Sequence, residues 1–404
     1  MTRADIASSF DINAIDETFI KDPFPVFEAL RTHDPIHKNP DGSLFLTRYA
    51  DVLTCYQNPA MSSDKKVAFK KQFGDGPLFT HHTTSLVFND PPYHTVVRKL
   101  LASAFTPRKL KEMEPLISGV VEKLLDRLEG KSEIDIISAY ASAVPTEIIS
   151  FMLGIPVEHR HLLRPYSLKI LGALDPVVEQ ARLGEGHQAV AEFGALLEEL
   201  VAKRRMDQGS ASDGEVLAGL IFGEVDGRCL NDQELIQNCI FLLNAGHETT
   251  TSMVGNGVGM LVQNPDQLRR LQKTPELIDT AVEEMLRFQS PLQIGNRMTT
   301  EDVVLSGERI AKGTYLHLSV AAANRDPAVF PNAETVDIGR TPNRHVAFAK
   351  GHHMCLGATL ARLEGKTAIG RLVDRFPNLR EWGSAEILPI ARFRGYRYLP
   401  VAID

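Results

Sequence analysis

The chain has little cysteine, and its four cysteines lie far apart: Cys55, Cys229, Cys239 and Cys355. No two of them form a CxxC pair. Scattered cysteines in a chain of 404 residues do not build a disulfide framework. They are typical of proteins from a reducing compartment. The sequence therefore predicts a cytoplasmic protein without structural disulfides.

Long apolar runs are missing as well. Residues 1–24 contain no apolar run of the signal-peptide type. The longest apolar segment, residues 239–245, is far shorter than the ~20 residues that a membrane-spanning helix requires. The formal net charge of -7 gives no overall attraction to nucleic acid. We therefore expect neither a membrane span nor a nucleic-acid partner.

The sequence also lacks linkers, short repeats and charge blocks. Polar, glycine-containing breaks at residues 208–214 and 223–228 are typical of loops between helices. Length alone would admit roughly two or three domains. Nothing divides the chain, however, so we predict one large domain over residues 1–404.

Helical periodicity dominates the remaining sequence. Apolar residues recur at helical spacing over 113–128 and 190–204, and most of residues 90–290 shows the same pattern. Short, partly alternating segments predict strands at 43–47, 302–305, 314–318 and 396–401. The predicted fold class is mainly α, with small β-sheets near the N-terminus and in the last third.

One predicted helix is apolar on every side and yet carries polar residues in its middle. Asn231 and Glu234 have the spacing of a capping box, and Pro265 stops the pattern after Asn264. Such a helix would be ~50 Å long at ~1.5 Å per residue. Because its surface is apolar, we expect it to lie within the core. Its middle, residues 244–252, reads NAGHETTTS.

Polar groups in a buried helix need a reason, because each costs about 1–3 kcal/mol without a partner. One interpretation is that the hydroxyl groups bond to carbonyls one turn earlier. The other is a functional site facing the helix, where Gly246 has no side chain and lets a ligand approach. A zinc-protease interpretation of His247 and Glu248 fails, because HExxH requires a histidine where Thr251 stands.

The cysteine in FAKGHHMCLG, residues 348–357, has three interpretations. It is a buried core cysteine, a zinc ligand with nearby histidines, or the axial ligand of a heme iron. The zinc interpretation requires a second Cys/His cluster of suitable spacing, and the sequence contains none. Cys355 also precedes an amphipathic helix, whose N-terminal dipole favours a thiolate. Gly351 and Gly357 allow the backbone to approach a ligand closely.

FAKGHHMCLG resembles the heme-binding loop of the cytochrome P450 family, F-G-x-G-x-H-x-C-x-G. The matching residues are Phe348, Gly351, His353, Cys355 and Gly357. Ala349 departs from the pattern, since the family usually has glycine there. The resemblance implies a single large cytochrome P450-like domain with a long central helix over a heme. It implies heme b as the cofactor, Cys355 as the iron ligand, and contacts to the cofactor from Phe348 and Gly357.

AGHETT, residues 245–250, is similar to the oxygen-activating segment of the same family. The similarity implies that Glu248 and Thr249 are the catalytic acid–alcohol pair that relays protons to dioxygen. It also implies that the central helix is kinked there.

Three further motifs resemble the family in the same order along the chain. HTVVR implies that His94 and Arg98 bind a heme propionate, although its i, i+4 spacing alone is equally consistent with two solvated side chains and with a shared anion site. Arg297 and His353 match positions with the same role. EMLR predicts, alone, an ordinary helical ion pair. Together with the segment 324–340, which resembles the family's meander, it implies a structural network of Glu284, Arg287 and Arg340.

The resemblance implies a heme-thiolate monooxygenase that inserts one oxygen atom from O2 into a small apolar organic substrate. Electrons would come from a ferredoxin and an NAD(P)H-dependent reductase. A basic patch of residues 108–111 with Lys350 and Arg362 would receive the ferredoxin. We expect a monomer. Substrate contacts are predicted from a loop at 76–88 and from Leu243, Asn244, Ile294 and Phe393.

Two alternatives remain at this point. One is a peroxide-using heme enzyme of the same fold, and the other is a non-catalytic heme-binding protein. The presence of Glu248 and Thr249 favours an enzyme that uses dioxygen.

Overall fold

Helices form most of the structure, as the periodicity predicts. The computed structural model describes residues 2–206 and 216–404. The α-helices before residue 222 are α1 (Arg3–Ser8), α2 (Glu17–Lys21), α3 (Phe24–His33), α4 (Tyr49–Gln57), α5 (Lys66–Phe73), α6 (Pro77–Thr84), α7 (Tyr93–Ala102), α8 (Pro107–Asp126), α9 (Ala143–Leu153), α10 (Leu163–Gly172), α11 (Gln180–Met206) and α12 (Val216–Ile221). Those that follow are α13 (Asp232–Gly246), α14 (Glu248–Gln263), α15 (Pro265–Lys273), α16 (Ile278–Phe288), α17 (Val320–Ala323) and α18 (Ala358–Arg375).

The strands are short and form four small sheets within the described residues. They are β1 (Ile36–Lys38), β2 (Leu44–Leu46), β3 (Met61–Ser62), β4 (Glu133–Asp135), β5 (Ile294–Thr299), β6 (Val303–Leu305), β7 (Glu308–Ile310), β8 (Tyr315–Ser319), β9 (Arg380–Glu381), β10 (Glu386–Ile387), β11 (Tyr396–Tyr398) and β12 (Pro400–Ala402). The largest sheet has the order β1-β2-β8-β5-β3 and is antiparallel except between β2 and β8. All four predicted strand segments are confirmed. The mainly α fold class with small sheets is confirmed as well.

The predicted central helix is two helices separated at one residue. The Asn231 side chain accepts a hydrogen bond from the Glu234 N–H at 2.8 Å, and the Glu234 carboxylate accepts from the Asn231 N–H at 3.1 Å. This confirms the capping box at the start of α13. The helix is interrupted at His247, and α14 continues from there. Pro265 ends the pattern as predicted, but it also begins α15.

α14 packs tightly against α18, the helix that follows Cys355. A Cβ atom added to Gly365 of α18 would lie 2.8 Å from the Met253 side chain of α14. The Met253 side chain therefore packs directly over the Gly365 backbone, and a larger residue at 365 would require this side chain to shift. In the described ranges, none of the helices combines the length and apolarity that a membrane crossing demands.

Two loop predictions have different outcomes, and a third lies outside the described residues. The break at 223–228 is confirmed as a tight turn, in which Asp226 and Gly227 have positive φ. The predicted loop at 76–88 is wrong, because residues 77–84 form α6. Its side chains at i, i+3 and i+4, namely Leu78, His81 and His82, are all buried. The predicted break at 208–214 falls outside the described residues.

Candidate active site

The loop before α18 presents the Cys355 thiol on an exposed surface. Cys55 and Cys239, in contrast, are fully buried in the core. The Cys355 N–H donates a hydrogen bond to the Phe348 carbonyl at 2.9 Å, which closes the loop on itself. The interpretation of Cys355 as a core cysteine is therefore wrong.

The polypeptide around Cys355 opposes a free thiolate more than the sequence suggests. Although Cys355 keeps accessible surface, the protein atoms packed around its sulfur limit hydration, and this desolvation raises the pKa of the thiol. A hydrogen bond from the Gly357 N–H and the positive charges of Arg98 and Arg362 act in the opposite direction but do not outweigh it. The helix N-terminus alone thus does not produce the thiolate, and a bound metal ion would be needed to deprotonate the thiol outright.

The zinc interpretation finds no ligand set. Within residues 2–206 and 216–404, no group of three or more His, Cys, Asp or Glu side chains could hold a metal ion. A thiol that is the single protein ligand fits a metal whose other ligands come from a cofactor.

Gly351 and Gly357 of this loop differ in the physical reason for having no side chain. Gly351 has φ +70, and an added Cβ atom would lie 2.2 Å from the Tyr56 carbonyl oxygen. The protein itself therefore requires glycine there. At Gly357 the nearest side-chain atom, from Phe105, is 4.0 Å from an added Cβ atom. No other described atom lies within 4 Å of that position, so the backbone at Gly357 leaves room for a ligand.

Four basic side chains gather beside this loop, as the motifs predict. His94 and Arg98 share one face of α7, Arg297 lies on β5, and His353 lies two residues before Cys355. The rings of His94 and His353 are 4.2 Å apart between centroids, and Arg98 donates to the Met354 carbonyl at 2.7 Å.

Within the described ranges, no carboxylate forms an ion pair with this cluster of basic side chains, and Asp90 acts on His94 and Arg297 only electrostatically. Burial, with Arg98 nearby, lowers the pKa of His94 to about 4. Burial and Arg297 lower the pKa of His353 to about 2. The His94 Nε2 atom is buried and has no hydrogen-bond partner in the described part of the chain. Together with the thiol and the open backbone, this donor set fits an anionic group such as the propionates of a heme.

Between Leu242 and Ser252, the central helix has accessible surface only beside the interruption at His247. Ala245 is exposed, and Gly246 and Thr249 are partly exposed, while their helical neighbours are buried. The Thr249 hydroxyl donates to the Ala245 carbonyl at 2.5 Å. The Thr251 hydroxyl donates to the His247 carbonyl at 3.0 Å. Back-bonding of hydroxyls and an accessible site are therefore both present, and the back-bonding accounts for the interruption.

Glu248 is buried beside this interruption without hydrogen-bond donors. Neither of its carboxylate oxygens has a hydrogen-bond partner among the residues described. The charges closest to it are Arg164 Nε, at 3.5 Å from Oε2, and His247 Nδ1, at 3.7 Å. The other nitrogen of His247, Nε2, is hydrogen-bonded to the Thr146 hydroxyl at 2.8 Å. Sequence reasoning missed Arg164 and Thr146, because both approach from helices distant in the chain and no local pattern marks them.

Glu284, Arg287 and Arg340 meet as predicted, and the structure adds two partners. Arg287 donates to both oxygens of Glu284 at 2.7 and 2.8 Å, and Arg340 Nε lies 3.0 Å from Oε2. The Asp337 N–H and the Asn343 amide also donate to this carboxylate, at 3.0 and 3.1 Å. Glu284 and Arg287 are fully buried.

The predicted substrate contacts divide into two groups. The structure places Leu243 in the main core and Ile294 in a core formed with Phe27 and Phe45. Both side chains are fully buried, since one lies on the packed face of α13 and the other on the β5 face toward α3. These two predictions are therefore corrected: neither side chain offers surface to a substrate. Phe393 remains partly exposed.

Asn244 keeps a polar atom without a partner. His81 Nδ1 donates to Gln237 at 3.2 Å, and His81 Nε2 accepts from the Asn244 amide at 3.4 Å. The carbonyl oxygen of the Asn244 side chain is buried and unpartnered in the described ranges. The segment 76–88 thus reaches the central helix as a helix, and its contact with a substrate stays a prediction.

The predicted basic patch is only partly free. Arg362 donates to both oxygens of Glu283, at 2.6 and 2.9 Å, and so its charge is balanced locally. Lys111 is exposed, and Lys109 and Lys350 are partly exposed.

Comparison with known proteins gives the same family throughout. A family model described as Cytochrome P450 matches residues 47–380. The biotin biosynthesis cytochrome P450 of Bacillus subtilis (strain 168) is 34% identical over 396 residues, which are 96% of this chain and 97% of that protein. The vitamin D(3) 25-hydroxylase of Pseudonocardia autotrophica is 38% identical over 367 residues, which are 90% of this chain and 88% of that protein. The crystal structure of P450BioI in complex with hexadec-9Z-enoic acid ligated acyl carrier protein has a TM-score of 0.89 and 32% identity, covering 96% of this chain and all of that one.

Proposed function

The chain belongs to the cytochrome P450 family of heme b monooxygenases, and we propose that it inserts one oxygen atom from O2 into a small apolar organic substrate. Its electrons would come from a ferredoxin and an NAD(P)H-dependent reductase. The observation that carries the proposal is Cys355, exposed beside four basic side chains that form no ion pair with a carboxylate among the residues described. We further propose one domain over residues 1–404 and a cytoplasmic monomer.

The proposed heme would be held by Cys355 and by the basic cluster. His94, Arg98, Arg297 and His353 would bind its propionates, which supply the missing negative charge. Phe348 and Gly357 would lie against its face. When bound, the heme supplies the oxygen-activating chemistry, which a Cys thiolate ligand favours by pushing electron density toward the iron.

Glu248 and Thr249 would deliver protons to the cleft. The Glu248 oxygens have no hydrogen-bond donor in the described part of the chain, and so either can take up a proton. Arg164 and His247 lie close enough to hold the carboxylate near the interruption. The Thr249 hydroxyl lies at the accessible surface of the helix and can pass on a proton when it releases the Ala245 carbonyl. This arrangement supports dioxygen over peroxide as the oxidant and a catalyst over a non-catalytic heme protein.

The relatives do not select the substrate. Their names refer to processes as different as biotin biosynthesis and the 25-hydroxylation of vitamin D(3). The substrate must therefore be inferred from the cavities of this chain.

The first test is the absorption spectrum of the reduced protein bound to carbon monoxide. A Soret band shifted strongly to the red is expected for the wild type, and Cys355→Ser should fold but lose that band. Cys239→Ser is a matched control, because Cys239 is a core residue. An unchanged spectrum in Cys355→Ser would contradict the ligand assignment, and the absence of heme would contradict the proposal as a whole. Turnover with a reductase pair but not with peroxide alone would separate the two oxidants.

A further inference from the structure

The hydrogen bonds of His247, the residue that interrupts the central helix, determine which nitrogen of its ring carries a proton. Its Nε2 atom lies 2.8 Å from the hydroxyl oxygen of Thr146 on α9. That hydroxyl has a single hydrogen atom, which it donates to the Ser142 carbonyl at 2.7 Å. Toward His247 the hydroxyl can therefore only accept, and so Nε2 carries a proton.

The other ring nitrogen of His247 faces Glu248. A neutral imidazole that is protonated on Nε2 has a lone pair on Nδ1. Nδ1 lies 3.7 Å from the Glu248 Oε2 atom, and it is buried without a hydrogen-bond partner in the described ranges. A neutral His247 and an ionised Glu248 would thus direct two lone pairs at each other.

Two opposed lone pairs are unfavourable in the interior of a protein. His247 is 0% exposed and Glu248 is 1% exposed, so bulk water does not solvate either group. A buried acceptor without a donor costs about 1–3 kcal/mol. One proton between Nδ1 and Oε2 satisfies both atoms. For groups that interact so closely, the proton belongs to the pair rather than to either residue.

The charges around the pair allow the proton to rest on either atom. Arg164 of α10 places its Nε atom 3.5 Å from the same Oε2, and this Nε is buried without a hydrogen-bond partner among the residues described. Its positive charge stabilises a negative charge on that oxygen. On α9, Glu147 is engaged in an ion pair with Arg160. Both a carboxylate beside an imidazolium and a carboxyl beside an imidazole are therefore accommodated, as a transferable proton requires.

The pair of His247 and Glu248 adjoins the accessible stretch of the central helix. Ala245 and Gly246 precede it and Thr249 follows it, and these three residues keep accessible surface. A bound substrate displaces water from such a cleft. A proton held within the fold remains available at that moment, whereas a proton from cleft water does not.

We propose that His247 and Glu248 hold one proton between them, and that His247 supplies it to Glu248 when the cleft consumes a proton. The inference rests on the proposed monooxygenase function and adds the residue that supplies its acid. His247 acts through Glu248 and is therefore a positioning residue.

The transfer involves one proton and no electrons. The Nδ1–H bond of His247 breaks, and an O–H bond forms on Oε2 of Glu248. The imidazolium becomes a neutral imidazole that keeps its Nε2 proton on the Thr146 hydroxyl. Water that enters the cleft after the product leaves restores the proton through Glu248.

The first test is nitrogen NMR of isotope-labelled histidine rings in the reduced, carbon-monoxide-bound protein at neutral pH. The signals of His247 are assigned by their loss in His247→Gln, and we expect a protonated Nε2. We expect the shared proton either on Nδ1 or as a carboxyl infrared band that disappears in Glu248→Gln. In Glu248→Gln, Nδ1 should be unprotonated.

The second test is turnover with the reductase pair. His247→Gln keeps a hydrogen-bonding side chain but cannot carry the proton. Its turnover should fall about tenfold, less than the roughly 10²–10⁴-fold expected of an acid that acts directly. Thr146→Val is the matched control, because it removes the hydrogen bond to the ring and leaves the proton carrier, and it should keep most of the turnover. His247→Leu serves the same purpose if His247→Gln does not fold.

Three results would overturn the inference. One is a wild type in which neither Nδ1 nor Glu248 is protonated. Another is a protonated Nδ1 in both the wild type and Glu248→Gln, since the proton would then not depend on the pair. The third is an equal loss of turnover in His247→Gln and Thr146→Val, which would make His247 structural. Failure of the monooxygenase proposal is distinguishable, because it would appear in the Soret band of the same carbon-monoxide-bound sample.

Discussion

Two buried glutamates of this protein have opposite surroundings. The Glu284 carboxylate receives hydrogen bonds from Arg287, Arg340, Asp337 and Asn343. Glu248 receives none within the described residues, and its closest charge is Arg164 at 3.5 Å. Both residues are no more than 1% exposed. Burial is therefore the same, and the difference lies in what the fold supplies around each carboxylate.

The difference separates a structural role from a chemical one. A carboxylate with all its lone pairs occupied cannot accept a proton without losing partners, and so Glu284 can only stabilise. A buried carboxylate without donors is destabilising, and a fold retains it where it serves another purpose. The same contrast applies to buried nitrogen groups: Arg287 is hydrogen-bonded to both oxygens of Glu284, whereas His94 Nε2 and Lys65 Nζ have no hydrogen-bond partner in the described ranges.

The largest expected effect comes from removing the charge of the satisfied glutamate. Glu284→Gln leaves Arg287 buried without a counter-charge, and breaking one side of such a pair costs about 3–5 kcal/mol. We expect a loss of unfolding free energy of that size in chemical denaturation, with poor heme retention. The control is Asp302→Asn, which breaks the exposed pair with Arg309 and should leave stability unchanged. If Glu284→Gln were as stable as the wild type, the hydrogen bonds to Glu284 would not stabilise the fold, and the contrast with Glu248 would lose its basis.

The second prediction concerns the unsatisfied glutamate. Glu248→Gln removes a proton donor and acceptor, and general acid–base groups contribute about 10²–10⁴-fold in rate. We expect turnover to fall about a hundredfold, while the unfolding free energy is unchanged or higher, because no hydrogen bond to the carboxylate is lost. The measurement is turnover and unfolding free energy of Glu248→Gln and the wild type, made on the same preparations. A large loss of stability would show that Glu248 is structural like Glu284.

The third prediction uses two threonines of α14 that make the same type of bond. Thr249 and Thr251 each donate to the carbonyl four residues earlier, but Thr249 is partly exposed and Thr251 is buried. Thr249→Ala should therefore divert electrons from product to peroxide several-fold, whereas Thr251→Ala should keep product formation coupled to electron use. The measurement is the ratio of product and peroxide to NAD(P)H consumed. Equal coupling in both variants would remove Thr249 from the proton path.

The sequence allowed the local parts of both regions to be predicted and not the distant ones. The capping box at Asn231, the pairing of Glu284 with Arg287, and the shared face of His94 and Arg98 depend on spacings within one helical turn. The approach of Arg164 to Glu248 depends on the packing of α10 against the central helices. No local pattern contains that information.

The errors have the same origin. Leu243 and Ile294 belong to apolar segments, and only the tertiary packing decides whether an apolar side chain faces a core or a cavity. The segment 76–88 contains hydroxyl and imidazole side chains that disguise a helix beginning at Pro77. Lys65 attracts no attention in the sequence, because its burial arises from Phe88 and Tyr315, which lie far from it in the chain.

The smallest expected effect tests the loop that connects the surroundings of Glu284 with Cys355. This loop runs from Asn343, which donates to Glu284, to Cys355. Ala349 lies between them with φ 55, in the left-handed region that disfavours side chains by roughly 1–2 kcal/mol. Ala349→Gly relieves this strain but gains freedom in the unfolded chain, worth about 0.4–1 kcal/mol.

We therefore expect Ala349→Gly to raise the unfolding free energy of the heme-loaded protein by about 0.5 kcal/mol, the difference of those two terms. Ala347→Gly is the control, because Ala347 does not have a positive φ and can only lose stability. Chemical denaturation of the two variants side by side should separate them by about 1 kcal/mol, in opposite directions from the wild type. If both variants lost stability equally, the loop at Ala349 would be unstrained.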